Sequence, residues 1–355
     1  MNSSSTEHLP PVNVPLLLGV LGAVLLGEGV MLFISSNWRA IPMGAKLVLI
    51  FGNVLGSYLL AYRMKFAARP RSGFASALFL KGAIGYGAGI FLIAQIYNFH
   101  ADWRAGLIYW FVGALPLAYA VDSRPVLALS LGTLVLWTIS KFDYFGREVF
   151  LLLPWLGGLL VLAAVVHWAR LFPRFGGTYF MTGACLILIP TLFLSWGNVA
   201  RGWVGFEWSA EFQSLAVALA GVYVILLVAT ALVLRTGGDR ALRLLVLFLP
   251  IALLPTIFLA SKPSREAVGD GFLLLVNLLL FAECLGLIFL GAAGRTRAVV
   301  KLGGTVLVLL TVCRFFDGYW YYLPRSVVFL LLGLSLMVAA FLWERGRRKT
   351  AEAES

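Results

Sequence analysis

Residues 85–104 read GYGAGIFLIAQIYNFHADWR: alternate glycines in an apolar run, then a glutamine, an asparagine, a histidine, an aspartate and a tryptophan in quick succession. Counted back to Phe74, the apolar run reaches the roughly 20 residues that a helix needs to cross about 30 Å of hydrocarbon. Gly85 and Gly89 form a G-x-x-x-G pair, which lets neighbouring helix backbones approach closely. The polar ending admits two readings: a ligand site, or the place where a membrane helix meets water.

The rest of the chain has the same character. Its 355 residues are 61% hydrophobic and 12% charged, with a mean hydropathy of +0.93. Soluble domains are about 45–50% apolar and about 25% charged, so a soluble globular protein is excluded. Breaking the apolar runs at charged or Gly/Pro-rich joints predicts spans at 14–36, 43–62, 74–98, 105–121, 124–141, 149–169, 177–196, 210–234, 241–260, 270–291, 298–315 and 325–343. The fold class is therefore all-α, a polytopic transmembrane helical bundle of about twelve spans. Eleven is the alternative count, because 105–121 and 124–141 meet at Asp122-Ser123-Arg124-Pro125. Residues 1–13 form a short tail, 14–343 the membrane domain and 344–355 a basic tail. Met1 to Asn13 carries no Lys or Arg and no small-residue cleavage site follows, so the first span reads as a mature helix and not a signal peptide.

Charge orients the bundle. The larger share of Lys and Arg falls in the even-numbered joints and the C-terminal ERGRRK, which puts both termini in the cytoplasm of an inner-membrane, multi-pass protein. This accounts for the net charge of +12 without nucleic acid, and membrane lipids are the implied partners. Lys81, inside the third span, is close enough to the cytoplasmic end to snorkel. Most tryptophans, Trp38, Trp103, Trp110 and Trp137 among them, fall at the opposite, outer side, as an aromatic belt or as one that also lines a pocket or partner surface. Cys185, Cys284 and Cys313 lie within apolar runs and imply no disulfide framework.

No Walker loop, Rossmann glycine fingerprint, HExxH or Gly-x-Ser-x-Gly occurs. Three histidines, His8, His100 and His167, make a histidine-rich metal centre unexpected, and no cofactor is implied. The informative groups are two carboxylates within spans, Glu28 and Glu283. Intramembrane ionisable residues usually face the bundle interior; each of these reads as a hydrogen-bonded packing residue or as a site or proton-coupling group. Glu28 lies about 12 Å below the outer end of its helix at 1.5 Å per residue, and Gln95 and Asn98 end the third span on that side. Asp102 and Trp103 follow, while Trp38 and Arg39 end the first span. Arg314 and Asp317, at i and i+3, suit a local ion pair.

The segments EGVMLFISSNWRAIP (28–42), GAGIFLIAQIYNFHADW (87–103), YWFVGALPLAYA (109–120) and RFFDGYWYYLPRSVVFLLLGL (314–334) resemble the prokaryotic membrane-protein family known as domain of unknown function 2157. The resemblance is clearest over 28–121 and 310–348, with the middle alike mainly in hydropathy. It implies a polytopic bundle and carries no established activity. Many relatives have a soluble helical segment ahead of the first span; only Met1 to Asn13 stands there in this sequence, so no regulatory role is carried over.

The leading expectation is a transporter- or flippase-like protein. Its outward-facing cavity, at Glu28, Trp38, Arg39, Gln95, Asn98, Asp102, Trp103, Arg314 and Asp317, would take a small amphiphile, a sugar or a lipid headgroup. The alternative is a non-transporting scaffold or assembly subunit of an envelope complex, bound to a membrane-protein partner through its aromatic side. A lipid-modifying enzyme is the least supported class, since no nucleophile and base pair stands out.

Overall fold

A computed structural model describes residues 40–66, 72–99, 102–141, 147–202, 209–235, 240–261, 266–294 and 296–319, and those residues are helical with short turns and joints between. Twelve helices follow in order: α1 Met43–Lys65, α2 Ser72–Ile96, α3 Trp103–Ala120, α4 Arg124–Lys141, α5 Arg147–Ala169, α6 Pro173–Leu194, α7 Gly197–Gly202, α8 Ala210–Arg235, α9 Arg240–Ala252, α10 Leu254–Ala260, α11 Asp270–Ala293 and α12 Arg297–Tyr319. Seven of them, α1, α2, α5, α6, α8, α11 and α12, are long and apolar enough to cross a membrane. The chain divides into two compact units, one of residues 46–310 and one of 1–45 with 311–355. Of the second, only 40–45 and 311–319 are described, as the start of α1 and the end of α12.

Nine of the expected spans have a helix within a few residues of the expected bounds. The expected spans 14–36 and 325–343 lie outside the described residues. The expected span 241–260 is corrected: it breaks at Leu253 into α9 and α10. Pro250 and Pro255 flank the break, each lacking the N–H of a regular helical bond. At the break the Leu253 amide donates to Pro250 carbonyl (3.2 Å), and Leu253 carbonyl accepts from the Thr256 and Ile257 amides (both 3.1 Å) and from Thr256 Oγ1 (2.7 Å). α3 and α4 are separate helices joined by a three-residue turn, not one long span.

In the larger unit α5 and α6 form the central pair, with α4, α8, α9 and α10 against α5 and α11 against α6. Their crossing is made by Gly157 and Gly183. A Cβ on either would lie 2.6 Å from the other's carbonyl oxygen, so the two backbones touch with no side chain between them. Four buried threonine hydroxyls are satisfied within their own helices: Thr133 bonds to Ser130 carbonyl, Thr138 to Leu134, Thr191 to Ile187 and Thr230 to Leu226. No water is present in hydrocarbon to take those protons, so the preceding turn must.

Charged groups gather at helix ends. At one, Lys65 reaches Val121 carbonyl, Ser76 Oγ meets Ser123 Oγ at 2.9 Å, and Arg174 pairs with Asp122. This ties the end of α1, the start of α2, the α3–α4 turn and the start of α6 together. At others, Arg201 of α7 pairs with Asp270 at the start of α11, and Glu148 of α5 accepts from the Ser209 amide and hydroxyl ahead of α8, at 2.9 and 2.8 Å.

Candidate functional site

The glycines of the opening stretch pack helices, as the G-x-x-x-G spacing predicts. On α2, Gly82, Gly85 and Gly89 lie against Tyr58, Asn53 and Ile50 of α1, and Gly87 lies against the Trp110 indole of α3. Trp110 also donates from Nε1 to Ala83 carbonyl at 2.9 Å. It is thus part of the helix packing.

The polar ending of that stretch is largely helix-end chemistry. Asn98 has φ 51, its amide donates to Gln95 carbonyl at 3.3 Å, and the Phe99 amide donates to Ala94 carbonyl at 2.9 Å. These are the two bonds of a Schellman motif, whose left-handed position favours glycine or asparagine. Asn98→Gly should therefore change stability by no more than about 0.5 kcal/mol, whereas Asn98→Val should cost roughly 1–2 kcal/mol. Thermal unfolding in detergent reads the difference, and equal losses in both variants would refute the capping account. Asp102 caps α3 at its other end, its Oδ1 accepting from the Arg104 amide at 3.1 Å, with Arg104 Nη1 4.0 Å from Oδ2. Gln95, Asn98, Asp102 and Trp103 are all exposed.

Of the expected constellation, Asp102 borders a cavity. This space of about 250 Å³, at the start of α3 and the end of α4, is lined by Asp102, Arg104, Ala105, Ile108, Tyr109, Trp137 and Lys141. Aromatic rings beside charged groups suit a sugar or a lipid headgroup. Arg314 and Asp317 lie on the last turns of α12 in the terminal unit. Glu28, Trp38 and Arg39 lie outside the described residues.

Glu283 stands in a different place. It lies midway along α11, on a cavity of about 520 Å³ whose other lining residues are apolar apart from Gly286. Val161 comes from α5, Phe180, Ala184, Ile187 and Leu188 from α6, Leu245, Leu249, Ile251 and Ala252 from α9, and Gly286, Leu287, Phe289 and Leu290 from α11. Both carboxylate oxygens are buried, and among the described residues neither has a hydrogen-bond partner. Leaving such a group orphaned costs several kcal/mol in an apolar medium.

Two polar clusters went unassigned in the sequence. Lys81 does not snorkel; it turns toward α1, where Nζ donates to Asn53 Oδ1 (2.6 Å) and Ser57 Oγ (2.9 Å). His167 of α5 is buried, with Nδ1 2.7 Å from Ala163 carbonyl and Nε2 2.7 Å from Tyr119 Oη, which is itself 2.8 Å from Tyr179 Oη. Asn53 one helix before Lys81 was the only sequence signal for the first. Tyr119, His167 and Tyr179 are too far apart in the chain to suggest the second.

Long apolar helices, buried threonine hydroxyls bonded within their own helices and ion pairs at helix ends define an integral membrane protein of the helical-bundle class. Residues 2–127 match the model of the family described as predicted membrane protein (DUF2157), and the resemblance read from segments 28–42, 87–103 and 109–120 falls within that match. The match ends before segment 314–334. No curated protein and no solved structure matches the chain.

Proposed function

We propose that the protein is a multi-pass protein of the bacterial inner membrane, with about twelve spans and both termini cytoplasmic, that takes a small amphiphile from the bilayer and carries it in transporter- or flippase-like fashion. The observation that supports this is the 520 Å³ cavity holding the partnerless Glu283 carboxylate. Its volume is within the roughly 300–1,000 Å³ of small-molecule sites, and a largely apolar wall with one polar group is their usual chemistry.

Gly286→Trp tests the binding step. A Cβ at Gly286 meets nothing within 4 Å, so an indole can fill the cavity without displacing backbone. Protein taken directly into polymer-bounded lipid discs should retain a tightly held amphiphile near one per chain by mass spectrometry. The variant should retain at least about tenfold less, the loss expected when a tight site is blocked by more than 1.4 kcal/mol. Identical lipid profiles for the two proteins would end this reading, and a fixed protein partner in their place would favour a scaffold.

A further inference from the structure

The Glu283 cavity also limits what kind of amphiphile fits, an inference that rests on the reading just given. Glu283 is about 20 Å along α11 from Asp270 and about 15 Å from Ala293 at 1.5 Å per residue, close to the middle of a hydrocarbon layer about 30 Å thick. Ile251 on α9 and Ala282, Gly286 and Phe289 on α11 line the cavity and are exposed. The cavity is thus open at the side of these helices, where acyl chains and not water lie, and its ligand enters from the bilayer.

A phosphate or zwitterionic headgroup at that depth would have to leave the interface, at a cost nothing in the cavity offsets. A lipophilic cation could pair with the carboxylate, but a buried ion pair needs further hydrogen bonds to offset its desolvation. Among the described residues the cavity has no other polar side chain to supply them. A neutral carbonyl or hydroxyl needs none. A carboxyl group carrying its proton donates to a carbonyl and accepts from a hydroxyl, so a single Glu serves both.

We infer that the Glu283 cavity binds a neutral lipid with a carbonyl or hydroxyl at the end of an apolar body, the chemistry shared by lipid quinones and long-chain isoprenoid alcohols. Phospholipids are outside this class.

The full-length protein in detergent, with thermal unfolding as readout, separates the sources using decylubiquinone for quinones, geranylgeraniol for alcohols, and dodecyltrimethylammonium as the cationic rival. A neutral probe at a hundredfold excess over its Kd should stabilise the wild type by about 2.7 kcal/mol, the hundredfold occupancy term converted by RT. Glu283→Gln should keep at least a third of that shift, because an amide also donates and accepts. Glu283→Leu, which folds at least as well as the wild type because it removes an orphaned polar group, should lose it. Response to decylubiquinone alone assigns quinones, and response to geranylgeraniol alone assigns alcohols.

A shift with dodecyltrimethylammonium that Glu283→Gln abolishes would overturn the proposal in favour of a cation site. If no neutral probe shifts the wild type while Gly286→Trp still strips the retained amphiphile, this ligand class is wrong and the carrier reading stands. If Gly286→Trp strips nothing, the carrier reading itself has failed.

Discussion

Gly183→Ala fails to give a stable, monodisperse protein, because a single methyl group at this position has nowhere to go. Its Cβ would stand 2.6 Å from Gly157 carbonyl oxygen, 2.9 Å from Val161 Cγ2 and 3.0 Å from Val161 amide nitrogen. Two of those three atoms are backbone, so no rotamer change relieves the clash and α5 and α6 must separate. Overpacking a core ordinarily costs 1–3 kcal/mol; separating the central pair, against which α4, α8, α9, α10 and α11 pack, places this variant above about 4 kcal/mol. Gly221→Ala is the control: its Cβ meets nothing within 4 Å, and it should be neutral or gain up to about 1 kcal/mol of helix propensity. Thermal unfolding and size-exclusion profiles of the two variants report the contrast. Equal behaviour would mean that the α5–α6 crossing is looser than described.

Tyr119→Phe should cost more than Tyr179→Phe although both delete one hydroxyl from the same cluster. A carbonyl only accepts, so His167 Nδ1 carries the hydrogen toward Ala163 carbonyl. In the neutral ring Nε2 then accepts from Tyr119 Oη, and Tyr179 must be the donor to Tyr119. Removing Tyr119 Oη orphans two groups, the Tyr179 donor and the His167 acceptor; removing Tyr179 Oη leaves only Tyr119 short of one incoming bond. At about 1–3 kcal/mol for each orphaned buried group, Tyr119→Phe should lose roughly 2–5 kcal/mol and Tyr179→Phe less than about 1.5 kcal/mol. Unfolding in denaturant or heat measures both, and the reverse order would show that the hydrogen bonds run the other way.

Where helices start and stop was legible because charge and proline punctuate hydrocarbon-soluble sequence strongly. Arg124, Arg147 and Lys141 mark ends that the structure keeps. The span at 241–260 misled because Pro250 and Pro255 lie within an apolar run, and hydropathy is blind to a missing N–H. The site was harder to read, since polar residues at a helix exit serve as caps or ligands with the same chemistry. Asn98 and Asp102 drew attention for their polarity, and caps account for both. Glu283 was visible as a charge within a span, but the empty space beside it is made by four helices that no local pattern pairs. Gly157 and Gly183 are 26 positions apart in the sequence, with nothing local to say that one meets the other.

The bare crossing of α5 and α6 also bears on the order in which the molecule is built. The two helices are consecutive, separated only by Arg170, Leu171 and Phe172, and their contact uses atoms already present when α6 leaves the ribosome. Two walls of the Glu283 cavity, α9 and α11, are synthesised later. The receptacle is therefore finished last, as later helices close against an inserted hairpin. A chain truncated after Leu194 would carry that hairpin but have no place for the ligand.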